Sequence, residues 1–368
     1  MKPETRLPAW IDYGLLPALH LGLALMASAL VVWALGANPL LALPILLSGG
    51  IGEGMGFALF YATDFLLLGL AVVAALRAGL YNLGGEGQAL FGGFGVALVA
   101  IALDPLQAGM ALPLALLAAA LFGALWGLVP GWLHACRSAP LALTTILFNF
   151  LAVGIVGGLV SGPAAQSQES APDAAGASAP LMPAMADLLA PLGLGAGLAD
   201  APWNASFLVA LACALGLWVF LFHSRIGYEL RVVGGSREAA RYAGIRVDRH
   251  LMAVMALAGA MAGLAAVNQW SGGQPRLALG VPGGYAFVGL AVALLGRGHP
   301  LGVVPAALIF GALYQGGVEL ARAMPELGPD LVLVLQGLAI LFAGGLERLL
   351  RARMVGRRRA GLPAEEER

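Results

Sequence analysis

Apolar residues in this chain fall into long runs, separated by short stretches where charges, prolines and glycines gather. A bilayer core about 30 Å thick needs roughly 20 apolar residues as helix. On that measure the pattern predicts spans at 16–35, 62–81, 85–103, 111–133, 141–161, 205–222, 251–271, 282–296, 300–320 and 330–346. The run at 282–296 is short, and 40–60 is left as a candidate re-entrant stretch. The expected fold is an all-α integral membrane protein of about ten transmembrane helices, with a broken helix near 82–88. Residues 1–368 then form a single transmembrane domain. The first apolar run follows MKPETRLPAWIDYG and reads as a retained span, because more spans follow and no convincing cleavage site separates them.

Composition agrees with a lipid environment. Apolar residues make up 60% and charged ones 11%, against about 25% charged in an average soluble domain; mean hydropathy is +0.87. A net charge of zero offers no footing for nucleic acid. Cys136 and Cys213 read as small buried residues. The scattered His20, His134, His223, His250 and His299 show no metal-ligand spacing, so no metal or cofactor is expected.

Charge position predicts orientation. The loop 162–204 carries Glu169, Asp173, Asp187 and Asp200 but no basic residue. The loop 223–250 holds Arg225, Arg231, Arg237, Arg241, Arg246 and Arg249, and the tail 347–368 is rich in arginine. The positive-inside rule puts 223–250 and both termini in the cytoplasm and 162–204 outside. There is also a faint internal repeat, PLALLAAALFGALWG at 113–127 against PLGVVPAALIFGALYQG at 300–316. Duplicated halves are common in transporters, but Ala/Gly-rich helices also resemble one another by chance.

Three polar constellations interrupt the apolar text. In 77–88, Tyr81, Asn82, Glu86 and Gln88 lie among glycines that weaken a helix, with Glu86 in the first turn of the next helix. This is either a pore-lining, gating break or a tight turn with capping residues. Thr144, Thr145 and Asn149 lie inside 141–161, with Thr145 and Asn149 on one helix face. They line a pathway or bond between helices. In 234–245, Ser236 is placed to start a short helix and Gly244 to stop it. Arg237, Glu238 and Arg241 then lie on one side and Ala239, Ala240 and Ala243 on the other, as a solvated loop helix or a docking helix. Asn268, Gln269 and Trp270 close the span 251–271, Trp270 as an interfacial anchor. No phosphate-binding loop, HExxH or GxSxG occurs, so ATP hydrolysis or a recognised intramembrane catalytic motif is not expected in this chain.

At these places the sequence resembles the permeases of bacterial ATP-binding-cassette importers, in the branched-chain amino acid, monosaccharide and nucleoside family. RAGLYNLGGEGQ (77–88) is similar to its RAGLFNIGAEGQ-type motif, and LTTILFNFLA (143–152) to its TTLMLNYIA-type segment. GYELRVVGGSREAARYAGI (227–245) resembles its cytoplasmic coupling loop, and GYAFVGLAVALLGRGHPLGVVPAALIFGAL (284–313) its GFxGIAVALLGRxxPLG segment. The order is the family's, and the pattern looks closest to the nucleoside and simple-sugar branch. One departure stands out: Leu141 follows Pro140 where relatives usually carry an acidic residue. The resemblance implies solute import through a pathway near Asn82, Glu86, Gln88, Thr144, Thr145 and Asn149. It implies coupling through Arg237, Glu238, Ala239, Ala240, Arg241 and Gly244 to a cassette ATPase. Expected partners are that ATPase, a second permease in a heterodimer, an extracytoplasmic solute-binding lipoprotein and membrane lipid. The competing class is an ion-coupled secondary transporter. It would favour several titratable residues in mid-span, and only Arg77 and Glu86 come near that. A membrane-bound enzyme ranks third.

Overall fold

The computed structural model of the chain describes residues 15–102, 108–161, 182–193, 200–272 and 284–327, with position 198 and isolated positions between 331 and 342. The described elements are α1 (Leu16–Ala34), α2 (Pro39–Ile51), α3 (Met55–Arg77), α4 (Gly85–Ala102), α5 (Ala108–Arg137), α6 (Leu141–Ser161) and α7 (Met185–Leu189). They continue as α8 (Ser206–His223), α9 (Arg225–Gly235), α10 (Arg237–Tyr242), α11 (Val247–Ser271), α12 (Tyr285–Leu295) and α13 (Pro300–Ala323). Six of them, α3, α5, α6, α8, α11 and α13, are long and apolar enough to cross a membrane, and shorter apolar helices lie at Gly22–Ala34, Pro39–Ile51 and Tyr285–Leu295.

α3 is the central post. Of its apolar window 83% is buried within the protein, against 22% for α5 and for α6, which turn most of their surface outward. Around α3 pack α11, α12 and α13. Contact between apolar helices in lipid rests on close packing rather than on expelled water, so small residues mark the crossings. A Cβ at Gly259 or Gly263 of α11 would run into the carbonyls of Gly123 or Ala119 on α5. A Cβ on Gly311 of α13 would meet the Ala58 carbonyl on α3. Gly123 and Gly311 are the glycines of the two FGAL stretches in the sequence repeat. Whatever the origin of the likeness, both copies serve as backbone-to-backbone crossings.

The bundle has two distinguishable ends. At the basic end, Arg77 closes α3 and donates through Nε to the Gly298 carbonyl at 2.7 Å, and the Arg77 and Arg231 guanidiniums lie over the Phe222 ring. At the far end, the chain around 182–205 folds over α11. The Met182 amide donates to Ser271 Oγ at 3.1 Å, and Asn204 Nδ2 donates to Asn268 Oδ1 at 3.1 Å.

Several boundaries differ from those predicted. α3 begins at Met55 rather than 62 and ends at Arg77 rather than 81. The polar residues near its start are satisfied inside the protein, Thr63 by the Leu59 carbonyl of its own helix and Asp64 by α11, so the helix continues where an apolar count stops. The stretch 282–296 yields an 11-residue helix, roughly half a span. The candidate re-entrant stretch 40–60 holds α2, which packs against α13 and stops at Gly52 just before α3. The basic loop 223–250 is almost entirely helical, as α9, α10 and the start of α11. Both cysteines are free, but Cys136 is exposed, contrary to expectation, because it sits at the emerging last turn of α5. Most of 330–346, residues 162–181 and the tail 347–368 lie outside the described residues.

Candidate functional site

Between α3 and α4 the chain stops being helical at 78–84, although Ala78, Leu80, Asn82 and Gly84 are buried in the bundle. Irregular backbone at membrane depth must find its hydrogen bonds within the protein. The sequence supplies them from side chains. Asn82 is 2% exposed and Gln88 1%. Asn82 Nδ2 donates to Gln88 Oε1 at 3.0 Å, and Asn82 Oδ1 accepts from the Gly84 amide at 3.0 Å. From α6, Asn149 Oδ1 accepts from the Gly87 amide at 2.9 Å while its Nδ2 donates to the Leu83 carbonyl at 2.8 Å. Thr145 Oγ1 accepts from the Leu83 amide at 3.3 Å. Glu86, half-buried in the first turn of α4, accepts through Oε1 from the amide of Gly284, the residue that caps α12. One carboxylate thus serves the positive ends of two helices.

The structure therefore brings Asn82, Gln88, Thr145 and Asn149 into one hydrogen-bonded clasp, with Glu86 at its side. Thr144 is not part of it: its hydroxyl donates back to the Pro140 carbonyl of its own helix at 2.9 Å. We expect Asn149→Leu to leave two buried backbone groups unpaired, at about 1–3 kcal/mol each. Thr144→Val loses only a local bond. In detergent, Asn149→Leu should lower the melting temperature clearly and Thr144→Val hardly at all; equal melting of the two would show that the clasp adds no stability.

At the basic end, α10 has the start and stop the sequence announces. Ser236 Oγ accepts from the Ala239 amide at 3.2 Å. At the other end Gly244 has φ +76°, its amide donates to the Arg241 carbonyl at 2.9 Å, and the Ile245 amide donates to the Ala240 carbonyl at 2.9 Å. This paired closure needs a residue that tolerates the left-handed region. Arg237 Nη2 lies 3.1 Å from His134 Nε2 on α5, tying the helix to the bundle. One expectation needs correcting. Ala240 is fully buried against the protein's own core, so it cannot offer a face to a partner. Arg237, Glu238, Ala239, Arg241, Ala243 and Gly244 are exposed. So is Tyr242, at 96%, which the sequence reading passed over.

Sequence reasoning also missed Asp64, a carboxyl group 1% exposed in the middle of α3. Asn268 Nδ2 donates to its Oδ1 at 2.9 Å and Gln269 Nε2 donates to its Oδ2. The statement that only Arg77 and Glu86 come near mid-span is thereby corrected. A lone Asp inside the run FALFYATDFLLLGLA was the available signal, since an ionisable residue at membrane depth is costly unless partnered. The predicted start at 62 placed it at a span edge.

Residues 54–344 match the family model described as "Branched-chain amino acid transport system / permease component". The chain belongs to this family. It is similar to a glucose ABC transporter permease protein of Haloferax volcanii, 35% identical over 93% of this chain and 90% of that one. A guanosine ABC transporter permease protein of Bacillus subtilis is 34% identical over 84% of this chain and 87% of its own. A nucleoside ABC transporter permease protein of Lactococcus lactis is 26% identical over 89% and 90%. No solved structure matches. As a permease component, the chain is a multi-pass inner-membrane subunit of an ABC importer. It works with a separate ATPase, which hydrolyses the ATP, and with a solute-binding protein. These likenesses support the importer reading over the ion-coupled one, buried Asp64 notwithstanding.

Proposed function

We propose that this permease carries a nucleoside or a simple sugar-like solute into a bacterial cell by alternating access. The observation that carries this is likeness along nearly the whole chain to permeases named for guanosine and for glucose. The basic end, with α9 and α10, faces the cytoplasm, as do both termini, and the acidic 162–204 loop faces outward. A second, homologous permease completes the pathway as a heterodimer within the lipid. The break with Asn82, Glu86 and Gln88, together with Thr144, Thr145 and Asn149 of α6, flanks the route, and Glu86 is the member whose carboxylate is only half-buried. Arg237, Glu238, Ala239, Arg241 and Gly244 carry the ATPase contact, and buried Ala240 fixes α10 to the bundle so that a push on the helix reaches the core.

The test is uptake by membrane vesicles holding the permease pair, the ATPase and the binding protein. Radiolabelled guanosine or glucose should enter only with ATP, and a proton ionophore should not stop it. Uptake that needs an ion gradient and no ATP would overturn the reading. In whole cells, Asp200→Cys should react with an impermeant thiol reagent and Ser236→Cys should not; the reverse would invert the orientation.

A further inference from the structure

Beside the Asp64 pair lies a group of aromatic hydroxyls that the clasp and the docking helix leave unexplained. Tyr61 precedes Asp64 by three residues on α3, hence on nearly the same face. Its ring is 4.4 Å from that of Tyr314 on α13 and 6.3 Å from that of Tyr285 on α12, and Tyr285 and Tyr314 are 5.5 Å apart, edge to face. Phe65, the neighbour of Asp64 on α3, packs edge-on against the Tyr285 ring at 5.0 Å and the Tyr314 ring at 5.9 Å. Asp64 itself holds the amide of Gln269.

Two observations single this group out. The Tyr285 side chain is 3% exposed, and its hydroxyl makes no well-formed hydrogen bond, although Tyr314 is near enough to act on it. A buried hydroxyl without a partner is costly, and tyrosines inside proteins usually find one. Moreover, Tyr61, Gln269 and Tyr314 are only partly buried, although α3 is enclosed over 83% of its apolar window. Three polar side chains on and around the central post thus keep part of their surface open.

We propose that Tyr61, Asp64, Gln269, Tyr285 and Tyr314 form a contact site for the transported solute inside the membrane, made for a polyhydroxylated ring; this rests on the importer reading above. The chemistry is specific to that class. A tyrosine face takes the C–H face of a sugar ring or stacks on a base. Tyr285 supplies a hydroxyl that makes no well-formed hydrogen bond within the protein. Asp64 anchors the Gln269 amide nitrogen, which leaves the amide carbonyl as acceptor for a ring hydroxyl. Asp64 itself is a positioning residue, because both of its carboxyl oxygens are already taken, by Asn268 and by Gln269. The site lies 13 residues up α3 from Arg77, about 20 Å along the helix from the basic end. That places it inside the bundle on the side of the far end, where Asn268 of α11 meets Asn204. The shared chemistry is a ribose or a pyranose ring, and free sugar and nucleoside are the two sources to tell apart.

The experiment uses the assembled importer in vesicles, in a permease whose Cys136 and Cys213 are replaced by alanine. Gln269→Cys and Tyr314→Cys are labelled with a small hydrophilic thiosulfonate, alone and with millimolar guanosine or millimolar glucose. The expected result is labelling of both positions, slowed at least five-fold by one of the two solutes; whichever protects identifies the ring source. Absence of labelling, or labelling that neither solute slows, overturns the site. Tyr285→Phe, which keeps the ring and removes only the hydroxyl, should raise the KM for uptake at least five-fold with the stimulation of ATPase activity by binding protein intact. An unchanged KM overturns the site, and so does a fall in ATPase stimulation parallel to uptake, which marks a structural role. Failure of the importer reading looks different: wild-type vesicles then show no ATP-dependent uptake of either solute.

Discussion

Tyr242→Ala and Gly244→Val should each release the ATPase from the permease during co-purification, while the permease still inserts and pairs with its partner. Tyr242 is 96% exposed at the end of α10, a helix of six residues. Helices that short are marginal in water, and this one is kept by its caps, by the buried Ala240 and by the Arg237–His134 contact. A large aromatic side chain standing free on a fixed helix is the type of anchor that dominates interface energies. Truncating such an anchor costs about 2 kcal/mol or more, which is about 30-fold in affinity. Gly244→Val acts otherwise. Its φ of +76° is strained for any Cβ and most for a branched one, so the closure on Arg241 and Ala240 opens and Tyr242 loses its fixed place. Uptake should fall with ATPase capture in both variants. ATPase retention by both at the wild-type level would mean that α10 is an ordinary solvated loop. Ala240→Arg is no such test: a guanidinium in that core position breaks the permease itself.

The parts of the molecule that were legible in the sequence are those whose physics is local. Lengths of apolar runs located most spans, because lipid imposes the rule on each helix separately. The caps of α10 were legible because Ser236 and Gly244 act within their own turn. The break at 78–84 was visible in its glycines, yet its purpose was not, since the groups that satisfy it come from Thr145 and Asn149, about 62 residues later in sequence. Ala240 was misassigned for a related reason. A small residue suits a partner's approach and a tight internal contact equally well, and only the path of α9 and α11 decides which. The tyrosine group and Asp64 were unreadable as a site because α3, α11, α12 and α13 each supply one or two members. Each residue alone passes for an aromatic or a polar residue at a span edge.

Asn268→Leu should sharply lower the yield of folded permease. Asn268 is fully buried near the far end of α11. Its Nδ2 donates to the Phe60 carbonyl at 3.1 Å and to Asp64 Oδ1 at 2.9 Å, and its Oδ1 accepts from Asn204 at 3.1 Å. One amide therefore holds the carboxyl group of the central helix and also pins the far-end loop, whose Asn204 in turn caps the start of α8 through the Ser206 amide. Leucine fits the volume and supplies none of these bonds. The Asp64 carboxyl and the Asn204 amide each lose a partner, at about 1–3 kcal/mol per group and more for a charged one. The two losses sum to roughly 2–6 kcal/mol, which reaches only the lower end of the stability of an ordinary domain, about 5–15 kcal/mol, and Asn204 keeps its bond to the Pro202 carbonyl. The measurement is the yield of monodisperse permease in detergent and its melting temperature. Asp64→Leu together with Asn268→Leu should recover part of the loss, because an apolar pair removes the stranded carboxyl along with its donor, and half-buried Gln269 can turn to water. A double variant no better than the single one would place the damage at Asn204 and the loop rather than at Asp64. Normal melting of Asn268→Leu alone would show that the far-end clamp contributes nothing.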